Sequence, residues 1–141
     1  RSPANLLPVI MEAACGKRAG LKIFGDDYPT PDGTGVRDYI HVDDLADAHL
    51  RALDYISKNR RSLTVNLGSE RGLSVLEIIE AARRITGREI PADTVGRRPG
   101  DPAKLVASAA LAKELLGWEA RYSDVDTLVE TSWKAYRTHC P

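Results

Sequence analysis

Two arginines and one carboxylate, carried on separate loops, are the residues of this sequence whose types and spacing best suit chemistry. Arg37 stands in GDDYPTPDGTGVRDYIH (25–41), a stretch with almost nothing that could form a core. Loops of this length without secondary structure are uncommon in a compact domain and are often functional. Its DGTG turn (32–35) combines a locally bonding Asp with glycines free to take positive φ, so the chain can reverse and deliver Val36–Tyr39 to a defined place. Arg98 and Asp101 lie far along the chain in RRPGD (97–101), where Pro99 and Gly100 hold a turn. A guanidinium fork suits bidentate contact with phosphate oxygens. A carboxylate can accept from paired hydroxyls such as those of a ribose. Together the three residues suit a nucleoside diphosphate. The plain alternative is two surface arginines in unrelated ion pairs, since functional charges are a minority of all charges.

Composition limits what else the chain can be. Its 141 residues suit one domain with a single core. The 20 basic and 20 acidic side chains cancel, so no global field recruits nucleic acid or an anionic membrane. Cys15 and Cys140 lie near opposite ends, show no metal or redox spacing, and read as unpaired thiols in a reducing cytoplasm. No apolar run approaches the length of a membrane span and no signal peptide is evident, which together predict a soluble protein.

The elements that must position the loops alternate between helix and strand. Residues 5–17 read as a helix with Asn5 as N-cap and Pro8 in the first turn, where its missing N–H costs little. LKIFG (21–25) reads as a strand. Helical spacing of Leu45, His49, Ala52 and Ile56 predicts a helix over 43–57 behind an Asp cap. LTVNLGS (63–69) is a β-branched run closed by Gly and predicts another strand. Ser74 and Glu77 form a capping box for a helix that Gly87 ends. A loop between two short strands follows, the second of them LVAS (105–108), then helices over 108–116 and from Ser123 onward. This is an α/β pattern.

One absence is informative. A dinucleotide-binding α/β enzyme needs glycines where a strand enters a helix, so that the backbone can approach a pyrophosphate. No G-x-G-x-x-G cluster occurs, nor a Tyr-x-x-x-Lys pair, a Ser/His/Asp arrangement or a metal-ligand set. The abrupt start, without Met, predicts a part of something larger.

The string DYPTPDGTGVRDYIHVDDLADAH (27–49) closely resembles the signature of the UDP-glucose 4-epimerase (UDP-galactose 4-epimerase) family, within the extended short-chain dehydrogenase/reductase superfamily. ANLLP, the G-x-x-x-x-L-x-I-F-G segment, VNLGS, RRPGD and LGW extend the resemblance over essentially the whole chain, against only the C-terminal part of that family. The resemblance implies a mixed small-sheet-and-helix, substrate-binding part of a two-domain Rossmann-type epimerase, a homodimer acting on UDP-glucose and UDP-galactose. In that chemistry bound NAD oxidises C4 of the hexose, the keto sugar rotates, and hydride returns to the other face. It implies too that residues 43–69 complete an NAD-binding domain whose glycine-rich loop and catalytic residues lie upstream. This chain alone is then expected to be inactive. A UDP-pentose 4-epimerase shares the loop, and a stand-alone nucleotide-sugar binding module is the rival from another class.

Carried over position by position, Asn5 and Leu6 match residues at the phosphate and ribose end of the UDP-sugar. Lys22, Ile23 and Phe24 match the segment bordering uracil, in keeping with an edge strand whose backbone can read a base. Arg37 and Arg98 match the diphosphate clamp, Asp101 the ribose acceptor, and Tyr39 a neighbour of the pocket or a packed structural ring. His41 and His49 read as structural. Family members carry residues from Tyr down to Cys where this chain has Leu105, and bulk there gates N-acetylated sugars. Leu105 lies between these extremes, with burial in the core as its other reading.

Overall fold

The computed structural model describes residues 5–140. Helix α1 (Leu6–Ala14) leads into strand β1 (Leu21–Phe24), and the long loop then delivers β2 (Val36–Arg37) and helix α2 (Val42–Asn59). A short β3 (Leu73–Ser74) runs directly into α3 (Val75–Thr86). Strands β4 (Ala92–Val95) and β5 (Lys104–Leu105) flank the RRPGD turn, and α4 (Ala110–Leu116) and α5 (Val125–Tyr136) complete the chain with a final 3-10 turn, Arg137–His139.

The strands form two small sheets. β1 pairs in parallel with β4 and its other edge has no partner among the described strands, while β2 lies between antiparallel β3 and parallel β5. Arg37 and Leu105 are register partners, so the β2–β5 ladder brings the two loops together. Helices α1, α3 and α5 pack on one another around Ile10, Met11, Ile78, Ile79, Ile90 and Val129, all nearly inaccessible, with Leu21 and Ile23 of β1 closing the core. A second, smaller cluster gathers Ala48 of α2, Ala109 and Ala112 around Trp118, which is fully buried.

Capping explains most helix limits. Ser74 and Glu77 make the reciprocal box at α3, and Gly87 and Gly117 end α3 and α4 in the left-handed region. At α2 the cap is His41 and not an aspartate: its Nδ1 accepts from the Asp43 amide at 3.1 Å. The Asn5 side chain, though at the N-cap of α1, makes no capping hydrogen bond. His41 is the structural residue the sequence suggested. It is buried, its amide donates to Ser123 Oγ, and its Nε2 lies 2.9 Å from Thr131 Oγ1. Thr131 Oγ1 already donates to the Thr127 carbonyl, so Nε2 carries the proton. His49, in contrast, lies on an exposed face of α2.

Three further expectations are corrected. Residues 63–69 form no strand, although their side chains alternate between half-buried and exposed up to Leu67. A strand needs a ladder partner, and none of the described strands runs beside this segment. Strand β5 is two residues long and does not reach Ser108. Cys15 and Cys140 are not free thiols but a disulfide with Cα atoms 4.8 Å apart, because α5 lies along α1 and carries the C-terminal segment back to it. Separation in sequence hid that proximity.

Two carboxylates are expected to make the fold acid-sensitive. Burial raises the Asp32 carboxyl, but hydrogen bonds from Ser74 and Thr34 outweigh this and hold it below the usual value. Asp124, the N-cap of α5, is lowered by the Thr127 amide and hydroxyl. A depressed folded pKa contributes stability above the unfolded value, near 3.9, that disappears as pH falls through the folded one. Melting temperature is therefore expected to fall on acidification below about pH 4, with a shallower fall in Asp32→Asn and Asp124→Asn. Parallel acid limbs in wild type and variants would contradict this.

Candidate functional site

The loop that seemed unable to fold is held by its own polar atoms. Asp32 Oδ1 accepts from the Thr34 amide at 2.9 Å and hydroxyl at 2.8 Å, while Oδ2 accepts from Ser74 Oγ and ties the turn to the start of α3. Gly33 must be glycine: its φ is +79° and a Cβ would meet the Asp26 carbonyl oxygen at 1.9 Å. Asp38, one residue past Arg37, takes the Ser69 amide and hydroxyl on Oδ1 and the Ala107 amide on Oδ2. Gly68 allows that approach, since a Cβ there would lie 2.6 Å from the carboxylate. Asp38 thus clamps three segments together, a role that spacing alone did not show.

These supports surround an open cavity of about 900 Å³. Asn5, Leu6, Lys22, Ile23, Phe24, Arg37, Tyr39, Arg98 and Asp101 all line it, so nine candidates read from distant parts of the sequence share one wall. Strand β1 lines it from Leu21 to Phe24 and β4 contributes nothing, which places the cavity against the free side of β1. Leu105 does not line it. The residue is 61% exposed on β5, so neither the pocket nor the core reading describes it within this chain.

The cations are held in place by the protein. Arg37 Nη1 donates to the carbonyls of Val36 at 2.8 Å and Pro102 at 2.9 Å, and Nη2 lies 3.4 Å from Asp101 Oδ1. The guanidinium of Arg98 stacks 3.6 Å from the centre of the Phe24 ring, and that of Arg97 lies 4.2 Å from the Tyr28 ring. Burial pushes the Tyr39 phenol up to about 12, with Arg37 drawing it partly back. At neutral pH the phenol is therefore a hydrogen-bond donor and not a base. Other lining residues are Arg18, which the sequence reading passed over and which pairs with Glu12 at 3.2 Å, and Tyr28, to which it gave no role and whose buried hydroxyl has no partner among the described residues. The Glu12–Arg18 pair joins the end of α1 to the following turn, and no sequence period marks it.

No group of three or more His, Cys, Asp or Glu could hold a metal among the described residues. None of the described helices is long and apolar enough to cross a membrane. The structure also leaves an apolar row uncovered on α2, where Val42, Leu50 and Leu53 are each more than 60% exposed and Ile56 is 45% exposed.

Residues 2–131 match the family model described as GDP-mannose 4,6 dehydratase. The chain is 51% identical over 135 residues to a UDP-glucose 4-epimerase of Lacticaseibacillus casei, covering 96% of this chain and 41% of that relative. The crystal structure of UDP-glucose 4-epimerase from Stenotrophomonas maltophila, with bound NAD and formylated UDP-arabinopyranose, superposes with a TM-score of 0.93 at 48% identity, over 98% of this chain and 41% of that one. That of the Bifidobacterium longum UDP-glucose 4-epimerase, in complex with NAD+ and UDP, gives 0.88 at 42% identity, over 99% and 41%. The chain spans about two-fifths of the length of the relatives it matches. It belongs to the GDP-mannose 4,6 dehydratase family, and within it corresponds to the C-terminal part of the UDP-glucose 4-epimerases.

Proposed function

We propose that this chain forms the UDP-sugar-binding part of an NAD-dependent UDP-hexose 4-epimerase, acting on UDP-glucose and UDP-galactose. The observation that carries the reading is the convergence of Arg37, Arg98, Asp101 and the free side of β1 on one cavity. In this reading Arg37 and Arg98 take the diphosphate, Asp101 accepts from the ribose hydroxyls, and Asn5 and Leu6 border that end. Lys22, Ile23 and Phe24 border the uracil, partly through backbone groups, and Tyr39 donates beside the clamp.

The described residues offer no glycine-rich phosphate cradle for NAD. No glycine-rich turn opens any of the five described α-helices, whose N-caps are Asn5, His41, Ser74, Ala109 and Asp124. In the proposal NAD and the groups that abstract the hydroxyl proton belong to the remainder of the enzyme, a cytoplasmic homodimer, and this chain alone is inactive. The exposed row on α2 and the unpaired 63–69 segment fit a part that completes a Rossmann domain. That row also weighs against a stand-alone binding module, because uncovered apolar surface marks an interaction site. Leu105 would meet the sugar once the other half is in place. The UDP-arabinopyranose ligand of the Stenotrophomonas relative keeps a UDP-pentose substrate as the second reading.

Arg37→Ala and Arg98→Ala, in the natural-length enzyme, are each expected to weaken binding of UDP by about 1.5–3 kcal/mol, the loss of a charge-assisted contact. Calorimetric titration with UDP measures this. Equal affinity in wild type and both variants would rule out the clamp.

A further inference from the structure

The carboxylate of Asp101 already has a partner, and that partner is the cation meant for the ligand. Asp38 also lines the cavity, but both its oxygens are taken by Ser69 and Ala107. Asp101 faces Arg37 at 3.4 Å, with the two side chains 39% and 26% exposed. Arg37 does not need this contact to hold its position, because Nη1 is fixed by the Val36 and Pro102 carbonyls. Asp101 sits on the turn closed by its own amide and the Arg98 carbonyl at 3.2 Å, so it moves with the segment that carries the second cation.

We propose that Asp101 gates the anion site against free phosphates; the proposal rests on the nucleoside-diphosphate reading above. An inorganic phosphate or pyrophosphate reaching Arg37 must displace the carboxylate and then sit beside it, like charge against like. A nucleoside diphosphate replaces both partners at once, phosphate oxygens on Arg37 and ribose hydroxyls on Asp101. Discrimination then comes from a charge left uncompensated by the wrong ligand. The diphosphate and sugar subsites become coupled through one carboxylate, and such coupling is reciprocal.

Calorimetric titrations of the natural-length protein with UDP, pyrophosphate and uridine test this in wild type, Asp101→Asn and Asp101→Ala, with melting curves alongside. Pyrophosphate is expected to bind both variants about two- to fivefold more tightly, the range of a partly exposed ion pair, while UDP binds them more weakly. In wild type, saturating uridine should raise pyrophosphate affinity by a similar factor, and in Asp101→Asn it should not. Should either variant fail to fold, the wild-type coupling alone decides. Unchanged or weaker pyrophosphate binding in folded variants, or no effect of uridine in wild type, overturns the gate while leaving UDP binding intact. Failure of wild type to bind UDP overturns the nucleoside-diphosphate reading, and the gate with it.

Discussion

Trp118→Ala is expected to cost about 3–5 kcal/mol of stability, the range for emptying a large buried aromatic site. The indole is fully buried and its Nε1–H donates to the Asp44 backbone carbonyl at 2.9 Å. Asp44 is itself 2% exposed, and its carboxylate accepts from the amides of Arg121 and Tyr122 and from Ser123 Oγ. Trp118 therefore fills the cluster between α2 and α4 and also braces a carboxylate that orders the entry to α5. Losing it opens a cavity and leaves the Asp44 carbonyl without its donor. Trp118→Phe keeps most of the volume and should cost clearly less. Urea unfolding followed by circular dichroism measures both, and a cost below 1 kcal/mol for Trp118→Ala would show that α2 is not held through this side chain.

Loss of the Cys15–Cys140 disulfide is expected to cost about 2–5 kcal/mol, since it closes most of the chain into one loop and restricts the unfolded ensemble. Reductant should lower the melting temperature of wild type and leave Cys15→Ser and Cys140→Ser where they are. The bond joins the end of α1 to the C-terminal turn, and α1 carries the cavity residues Asn5 to Val9 on its other end. Whether the bond is made depends on the redox poise of the compartment. Identical melting of wild type with and without reductant would contradict a stabilising role.

What the sequence disclosed was chiefly local. The Ser74–Glu77 box, the stops at Gly87 and Gly117 and the DGTG turn are fixed by a few neighbouring residues, and each is found in the structure. The cavity was legible for a different reason. Its residues fall in the string 27–49 and in separate short segments, ANLLP, LKIFG and RRPGD, whose shared resemblance to a family placed Arg37, Arg98 and Asp101 together, where spacing could offer only two distant loops. Long-range proximities with no local signature were not legible. Cys15 and Cys140 meet through helix packing, and Arg18 reaches the cavity after pairing with Glu12. Residues 63–69 have strand composition, but a ladder depends on a neighbour that the described chain does not provide. Leu105 is similar: its position on β5 is fixed, yet its side chain stays 61% exposed among the described residues.

The most direct test of the central claim is a crystal structure of the natural-length protein with UDP. The account predicts diphosphate oxygens within hydrogen-bond distance of both Arg37 and Arg98, ribose hydroxyls on Asp101, and uracil beside Lys22–Phe24. A UDP molecule bound elsewhere, with Arg37 still paired to Asp101, would contradict it.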